Sequence, residues 1–204
     1  MTARFQKYTL DFKQPSGTSR GILKTKDTWF IILNDGNNQG IGECGMFRGL
    51  SIDDRSDFES KLDWVCKNID LGWSQLLEEL IEFPSIQFGL EIAFKSFQSK
   101  DDFILFPSKF TDYKDSININ GLIWMGDKGF MNSQITQKIE QGFTCIKMKI
   151  GAIDFASEID LIKSIRKEFS AQDVELRVDA NGAFAPQDAL EKLNRLSEFD
   201  LHSI

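Results

Sequence analysis

From Ser116 onward the chain reads strand then helix, repeated, and this order restricts its fold more than any other feature. Ile117 to Ile123 is strand-like, Asn132 to Gln141 is helical and stops at Gly142, and Thr144 to Ile150 is strand-like again. Asp154 can cap a helix whose apolar positions are Phe155, Ile159, Ile162, Ile165 and Phe169. Val174 to Asp179 is the next strand. Pro186 opens a helix carrying Leu190, Leu193, Leu196 and Phe199, and Leu201 to Ile204 begins one more strand. Strands alternating with helices of this length predict a parallel sheet with helices outside it.

A closed barrel of eight such units takes about 250 residues. Only about two and a half units fit between Ser116 and Ile204, and an open remnant would expose an apolar edge strand. The expectation is therefore the first part of a TIM-type (β/α) barrel over residues 116–204. It belongs either to the front of a longer enzyme or to a chain completed by something else.

Residues 1–115 read differently. Tyr8, Leu10 and Phe12 alternate, Thr28 to Leu33 is β-rich, and the turn cluster Asn34 to Asn38 leads back into Gly40 to Cys44. Helical spacing follows in Phe58, Leu62, Val65 and Ile69, in Trp73, Leu76, Leu77 and Leu80, and in Ile86, Leu90, Ala93, Phe94 and Phe97 behind Pro84. This half is expected to be an α+β domain, with polar Asp101 to Asp115 as a linker or surface excursion.

Composition narrows the function. A content of 41% hydrophobic residues with 18 phenylalanines supports a sizeable core. A net charge of -7 and the lack of a basic stripe argue against nucleic acid. No apolar run reaches the roughly 18 to 20 residues of a spanning helix, and Met1 to Leu10 lacks a signal-peptide pattern, so a membrane partner is not expected and a cytoplasmic setting is. Cys44, Cys66 and Cys145 form no CxxC pair and read as reduced and structural.

The chemistry lies in Thr144 to Ile150, where Ile146, Met148 and Ile150 alternate with Lys147 and Lys149. A strand puts both lysines on one face. In a barrel that face points inward, where two ammonium groups about 6 to 7 Å apart would repel and make one lysine a usable base. Active sites of such barrels sit at the C-terminal strand ends, which is where Lys149 and Asp179 fall on successive strands. Arg177 and Glu175 share Asp179's parity and should point inward below it; Arg177 reads first as an ion pair with Glu175. A carboxylate at that end could hold Mg²⁺ through oxygen.

Other residues have plainer readings. Gly40-Ile41-Gly42 lacks the rest of a nucleotide-loop pattern. Glu43 either lines the first domain or faces solvent, and His202 reads as structural. Trp29, Trp64 and Trp73 read as packing residues. Trp124 does too, though it lies near enough to a barrel end for a site role.

Lys147-Met148-Lys149 and Asp179-Ala180-Asn181 match the K-x-K and D-x-N of the enolase superfamily, specifically its muconate-lactonising subgroup. Ile119 to Gly126, Lys147 to Phe155, Glu175 to Phe184 and Phe199 to Ile204 resemble the o-succinylbenzoate synthases within it. Gly42-Glu43-Cys44 with Gly49-Leu50-Ser51, and Gln14 to Gly21, resemble the substrate-closing loops of the enolase-like capping domain. The resemblance implies a carbon–oxygen lyase, a Mg²⁺-dependent dehydratase of menaquinone biosynthesis acting on a small carboxylate through an enediolate. It implies Lys149 as the base and Lys147 as the neutraliser of the carboxylate and enediolate. Asp179 would be the first metal ligand, with Asn181 orienting the ligand shell. The family's remaining metal carboxylates and opposite-wall lysine would lie beyond Ile204, so the 204-residue chain alone is expected to be inactive. An N-acylamino acid racemase or dipeptide epimerase on the same lysine geometry, and a non-catalytic remnant needing a partner, are the competing expectations. Self-association as a homo-oligomer is left open.

Overall fold

The computed structural model describes residues 1–18, 21–101 and 104–204. It forms two compact units, Met1–Lys13 with Lys24–Ser116, and Gln14–Leu23 with Ile117–Ile204.

The first unit holds most of a three-stranded sheet in the order β1 (Thr2–Thr18), β2 (Gly21–Asn34), β3 (Gln39–Cys44), the end of β1 from Gln14 and the start of β2 up to Leu23 belonging to the second unit. β2 and β3 run antiparallel from Trp29 opposite Cys44 to Asn34 opposite Gln39. Their turn is tied by its own side chains: Asp35 Oδ1 accepts from the amides of Asn37 and Asn38, at 2.9 and 2.8 Å. Gly36 there takes a φ of 95°, the left-handed region that glycine tolerates. The β-rich run expected over Thr28 to Leu33 is part of β2, and alternate residues Trp29, Ile31 and Leu33 are buried on one face.

Three helices meet that face: α1 (Phe58–Lys67), α2 (Trp73–Glu78) and α3 (Pro84–Gln98), with a 3-10 turn at Ile69–Leu71. They contribute Phe58, Leu62, Val65, Leu76, Ile86, Leu90 and Ala93 to one core. Each fully buried side chain of this kind stabilises by roughly 1.5–3 kcal/mol. Pro84 stands in the first turn of α3, where its missing N–H costs nothing. The buried Asp53 carboxylate accepts from the Ser85 amide at 2.7 Å and the Ser85 hydroxyl at 3.0 Å, satisfying a free donor of that turn.

α3 lies directly on β3. A Cβ added to Gly42 would run into the Gly89 carbonyl, one on Gly89 into Cys44 Sγ, and one on Gly40 into the Phe97 backbone. Residues 104–115 of the expected linker form exposed turns apart from half-buried positions, with the Ser108 and Thr111 side chains bonded to each other's backbone.

The second unit is a parallel sheet in the order β4 (Gly121–Ile123), β5 (Cys145–Lys149), β6 (Glu175–Asp179). Helices α4 (Lys128–Glu140) and α5 (Phe155–Glu168) follow β4 and β5, and α6 (Ala189–Leu196) follows β6. Their core joins Ile123, Met131, Ile135, Ile146, Met148, Ile159, Ile162, Ile165, Leu176, Val178 and Leu196. Asp154 caps α5 as expected, accepting from Ala156 and Ser157 amides at 3.3 and 2.8 Å.

Three expectations are corrected. The strand expected over Ile117 to Ile123 is confined to Gly121–Ile123, because Ile117 and Ile119 are 60% and 73% exposed and pair with no strand among the described residues. α4 begins at Lys128 instead of Asn132, since Asp127 caps it by accepting from the Phe130 amide at 2.9 Å. On α6 only Leu196 of the expected apolar stripe is buried, and Leu190 is 71% exposed.

After α6 the chain returns beside β6. His202 N donates to the Leu176 carbonyl at 2.8 Å and Val178 N to the Ser203 carbonyl at 3.0 Å, in a parallel bridge of Arg177 with Ser203. This is the hydrogen-bonding pattern of a fourth parallel strand beginning. Among the described residues no helix is long and apolar enough to cross a membrane.

Candidate active site

The register of the parallel sheet stacks the side chains of one face in rows. Cys145 stands beside Glu175, Lys147 beside Arg177, and Lys149 beside Asp179. On the other flank Leu122 stands beside Lys147, which puts Trp124, two residues on, level with Lys149. Ile146, Met148, Leu176 and Val178 take the opposite parity and are buried under the helices. The shared face of the two lysines and the acid thus follows from the alternation alone.

What parity does not specify is how far each chain reaches. Lys147 pairs with Asp179 one row above it, Nζ to Oδ2 at 2.8 Å. Lys149 reaches past Asp179 and donates to Asn181 Oδ1 at 3.2 Å. Arg177 turns the other way, its Nε donating to Glu175 Oε1 at 2.7 Å, which is the structural ion pair expected for it. The two lysines therefore do not face each other unpaired, as the sequence suggested: a carboxylate holds one and an amide the other.

The charges follow these contacts. The Lys147 hydrogen bond, helped by the Asn181 amide, holds the Asp179 carboxyl below its ordinary value despite partial burial. Glu175 is likewise held low, first by the Cys145 thiol that donates to it at 3.3 Å and then by Arg177. Burial, then the Glu175 contact, pushes the Cys145 thiol up. Burial also raises Cys44, and pushes Cys66 up to about 11, so all three free thiols stay protonated near neutrality, in keeping with a structural role. His202 stands 3.9 Å from Glu175 Oε2, at the level of Cys145 and away from Lys149's amide partner.

The loops after β5 and β6 are fastened to each other. Ile150 N donates to the Asp179 carbonyl at 3.0 Å, and a Cβ on Gly151, whose φ is 93°, would collide with Ala183. Glu158 of α5, 1% exposed, clamps this loop from below: its Oε1 accepts from Gly151 N at 2.6 Å and Ala152 N at 3.3 Å, while Oε2 finds no partner among the described residues. Burial outweighs the amides and raises this carboxyl. Nothing in the sequence signals that role for Glu158, since an acid in a helix reads as solvated.

Of the sequence candidates, Lys147, Lys149, Asp179 and Asn181 come together; Arg177 faces the row below. Glu43 is engaged within its own sheet, accepting from Thr28 Oγ1 at 2.7 Å and pairing with Lys26 at 3.4 Å. Of the loop expected at Gln14 to Gly21, residues 14–18 belong to β1 and Gly21 opens β2, while 19–20 lie outside the described residues. Asp179 fits a hard divalent cation in kind and not in number. Its two oxygens already serve Lys147 and the Asn181 amide, and among the described residues no group of three acid, histidine or cysteine side chains is placed to hold a metal.

The chain is similar to several known proteins. The o-succinylbenzoate synthase of Desulfotalea psychrophila is 37% identical over 235 aligned residues, covering the whole of this chain and 64% of the relative. The L-Ala-D/L-Glu epimerase of Bacillus subtilis is 28% identical over 89 residues, 44% of this chain and 24% of its own length. Among solved structures, that of MenC from Desulfotalea psychrophila superposes with a TM-score of 0.81 at 34% identity, covering all of this chain and 63% of that one. The o-succinylbenzoate synthase of Thermosynechococcus elongatus, solved with magnesium in its active site, shares the fold at a TM-score of 0.72 and 18% identity, over 98% of this chain and 58% of that one. The chain spans less than two thirds of the length of these relatives. The family described as "Enolase C-terminal domain-like" matches residues 131–204, which run from α4 through both site strands. Over that segment the chain is similar to the enolase C-terminal domain-like family.

Proposed function

We propose that this chain carries the proton-abstracting part of an o-succinylbenzoate synthase, which dehydrates 2-succinyl-6-hydroxy-2,4-cyclohexadiene-1-carboxylate in menaquinone biosynthesis. The observation that carries the reading is the pair of lysines on one sheet face with an acid on the next strand, in a chain 37% identical to such a synthase. Lys149, in its free-amine form, takes the proton from the carbon α to the substrate carboxylate. Lys147 lies beside the charge that then spreads onto the carboxylate as an enediolate, and a cation there lowers the barrier. The proton taken by Lys149 leaves with the neighbouring hydroxyl as water on the same face, and the new double bond completes the aromatic ring. A magnesium ion, with Asp179 as one of its oxygen ligands and others from outside the described residues, would supply further positive charge at the carboxylate.

The test is the full-length protein with that substrate and Mg²⁺, followed by the rise of o-succinylbenzoate. Turnover should fall at least a thousandfold in Lys149→Ala while the thermal transition stays in place; near-normal turnover there removes Lys149 as the base. The competing reading, epimerisation of a dipeptide, shares the lysine geometry and is favoured by the match to the Bacillus subtilis epimerase. Deuterium entering an amino-acid α-carbon from solvent, without dehydration, would decide for it.

A further inference from the structure

Lys149 is held on two sides, and only one of them belongs to the residues already discussed. Opposite Asn181, its Nζ stands 4.9 Å from the centroid of the Trp124 ring. Trp124 follows the last residue of β4 and has no ladder partner of its own among the described residues. A residue at such a strand end is free to move unless something else fixes its backbone. Gln134 does this from α4: the Trp124 amide donates to Gln134 Oε1 at 3.0 Å, and Gln134 Nε2 donates to the Trp124 carbonyl at 3.1 Å. Both peptide groups of Trp124 are thereby closed into one ring of hydrogen bonds. α4 itself is seated by Met131 and Ile135, which are buried on either side of Gln134 along the helix.

We propose that Trp124, locked by Gln134, is a positioning residue that fixes the place of the Lys149 amine. The proposal rests on the reading of Lys149 as the base. A lysine side chain has many rotamers, and a single 3.2 Å hydrogen bond to exposed Asn181 selects among them weakly. A cation over an aromatic face adds about a two- to fivefold preference at a partly exposed site, and the Trp124 residue is 39% exposed; once the proton is gone, an N–H of the free amine can still turn to the same face. Two orienting groups on opposite sides define one amine position, as a base aimed at one substrate proton requires. Lys147 needs no such device because Asp179 holds it directly at 2.8 Å.

The experiment has two independent readings. In the full chain, limiting acetylation of surface amines is mapped by fragmentation mass spectrometry, with Lys147 as the internal reference for Lys149. Trp124→Ala and Gln134→Ala should raise the Lys149-to-Lys147 ratio about two- to fivefold, and Trp124→Phe, which keeps a ring face, should restore it to within about twofold. An unchanged ratio in Trp124→Ala overturns the proposal. So does a Phe variant that behaves like Ala while its circular dichroism matches the parent. In the full-length enzyme the same Ala variants should lower kcat about two- to fivefold with KM moving less than about twofold; an equal loss through KM alone also overturns it. Absence of dehydration in the parent would count against the proposed function, and the acetylation ratio would still decide on Trp124.

Discussion

Asn181 combines two properties that separate mutants can pull apart. Its backbone sits in the left-handed region at φ 47°, and its side chain accepts from Lys149. Asn181→Gly keeps the first and deletes the second, whereas Asn181→Ala deletes the second and adds backbone strain of about 1–2 kcal/mol. The glycine variant should therefore melt close to the parent and the alanine variant several degrees lower, with turnover reduced in both; equal melting points would mean that the left-handed backbone costs nothing here. Glu158 supplies a pH test. Its carboxyl is raised in the folded protein, so between its unfolded and folded values the native state binds more protons than the unfolded chain. Stability from this group is present at acid pH and is lost as pH rises through the raised value. Glu158→Gln removes that dependence, so its melting point should gain on the parent's as pH rises above the ordinary carboxylate value of about 4.3. A difference that does not change with pH sinks the assignment. At this scale the sequence displayed Lys147, Lys149 and Asp179, because parity along a strand decides which face a side chain takes, while Asn181, beyond the end of β6, came only from the family resemblance. It hid the pairing of Lys147 with Asp179 and the clamp by Glu158, because these depend on side-chain reach between rows and on a loop's return to a helix.

Elements were legible where a local device fixes their ends. Asp154 starts α5 and Pro84 starts α3, as expected from their types. Asp154→Ala should cost about 1 kcal/mol, a fall of about 2–4 °C in a chain of this size; an unmoved Tm would show that the two amides it accepts from are served equally well by water. The start of α4 was misplaced because its first turn is Lys-Gly-Phe-Met, which shows no apolar period, and only the Asp127 cap marks it. Ile117 to Asn120 read as strand because isoleucines alternate with asparagines there, but propensity makes a strand only where a neighbour supplies hydrogen bonds. α6 shows the converse: its stripe of leucines is periodic, yet periodicity says that a face is apolar and not that anything covers it.

For the molecule as a whole, the acid count at the site matters more than the net charge of -7. A ligand stabilises a fold only as far as the folded state binds it. With Asp179 the one acid at the strand ends among the described residues, millimolar Mg²⁺ should move the Tm of the 204-residue chain by less than about 1 °C. A rise of several degrees would mean that this polypeptide assembles a metal site by itself. The seam of Gly40, Gly42 and Gly89 between β3 and α3 carries a different consequence. Most of a core drifts readily, since one apolar side chain can replace another if volume is kept. Here Gly40 and Gly42 meet backbone first, and Gly89 meets the Cys44 side chain with the β3 backbone close behind it, so exchanging a side chain makes little room. In a saturation library selected for folded protein, Gly42 and Gly89 should behave unlike the leucines around them: alanine should be as absent as tryptophan, and compensating second-site changes should be hard to find. That seam is a part of the chain where divergence has almost no neutral path to follow.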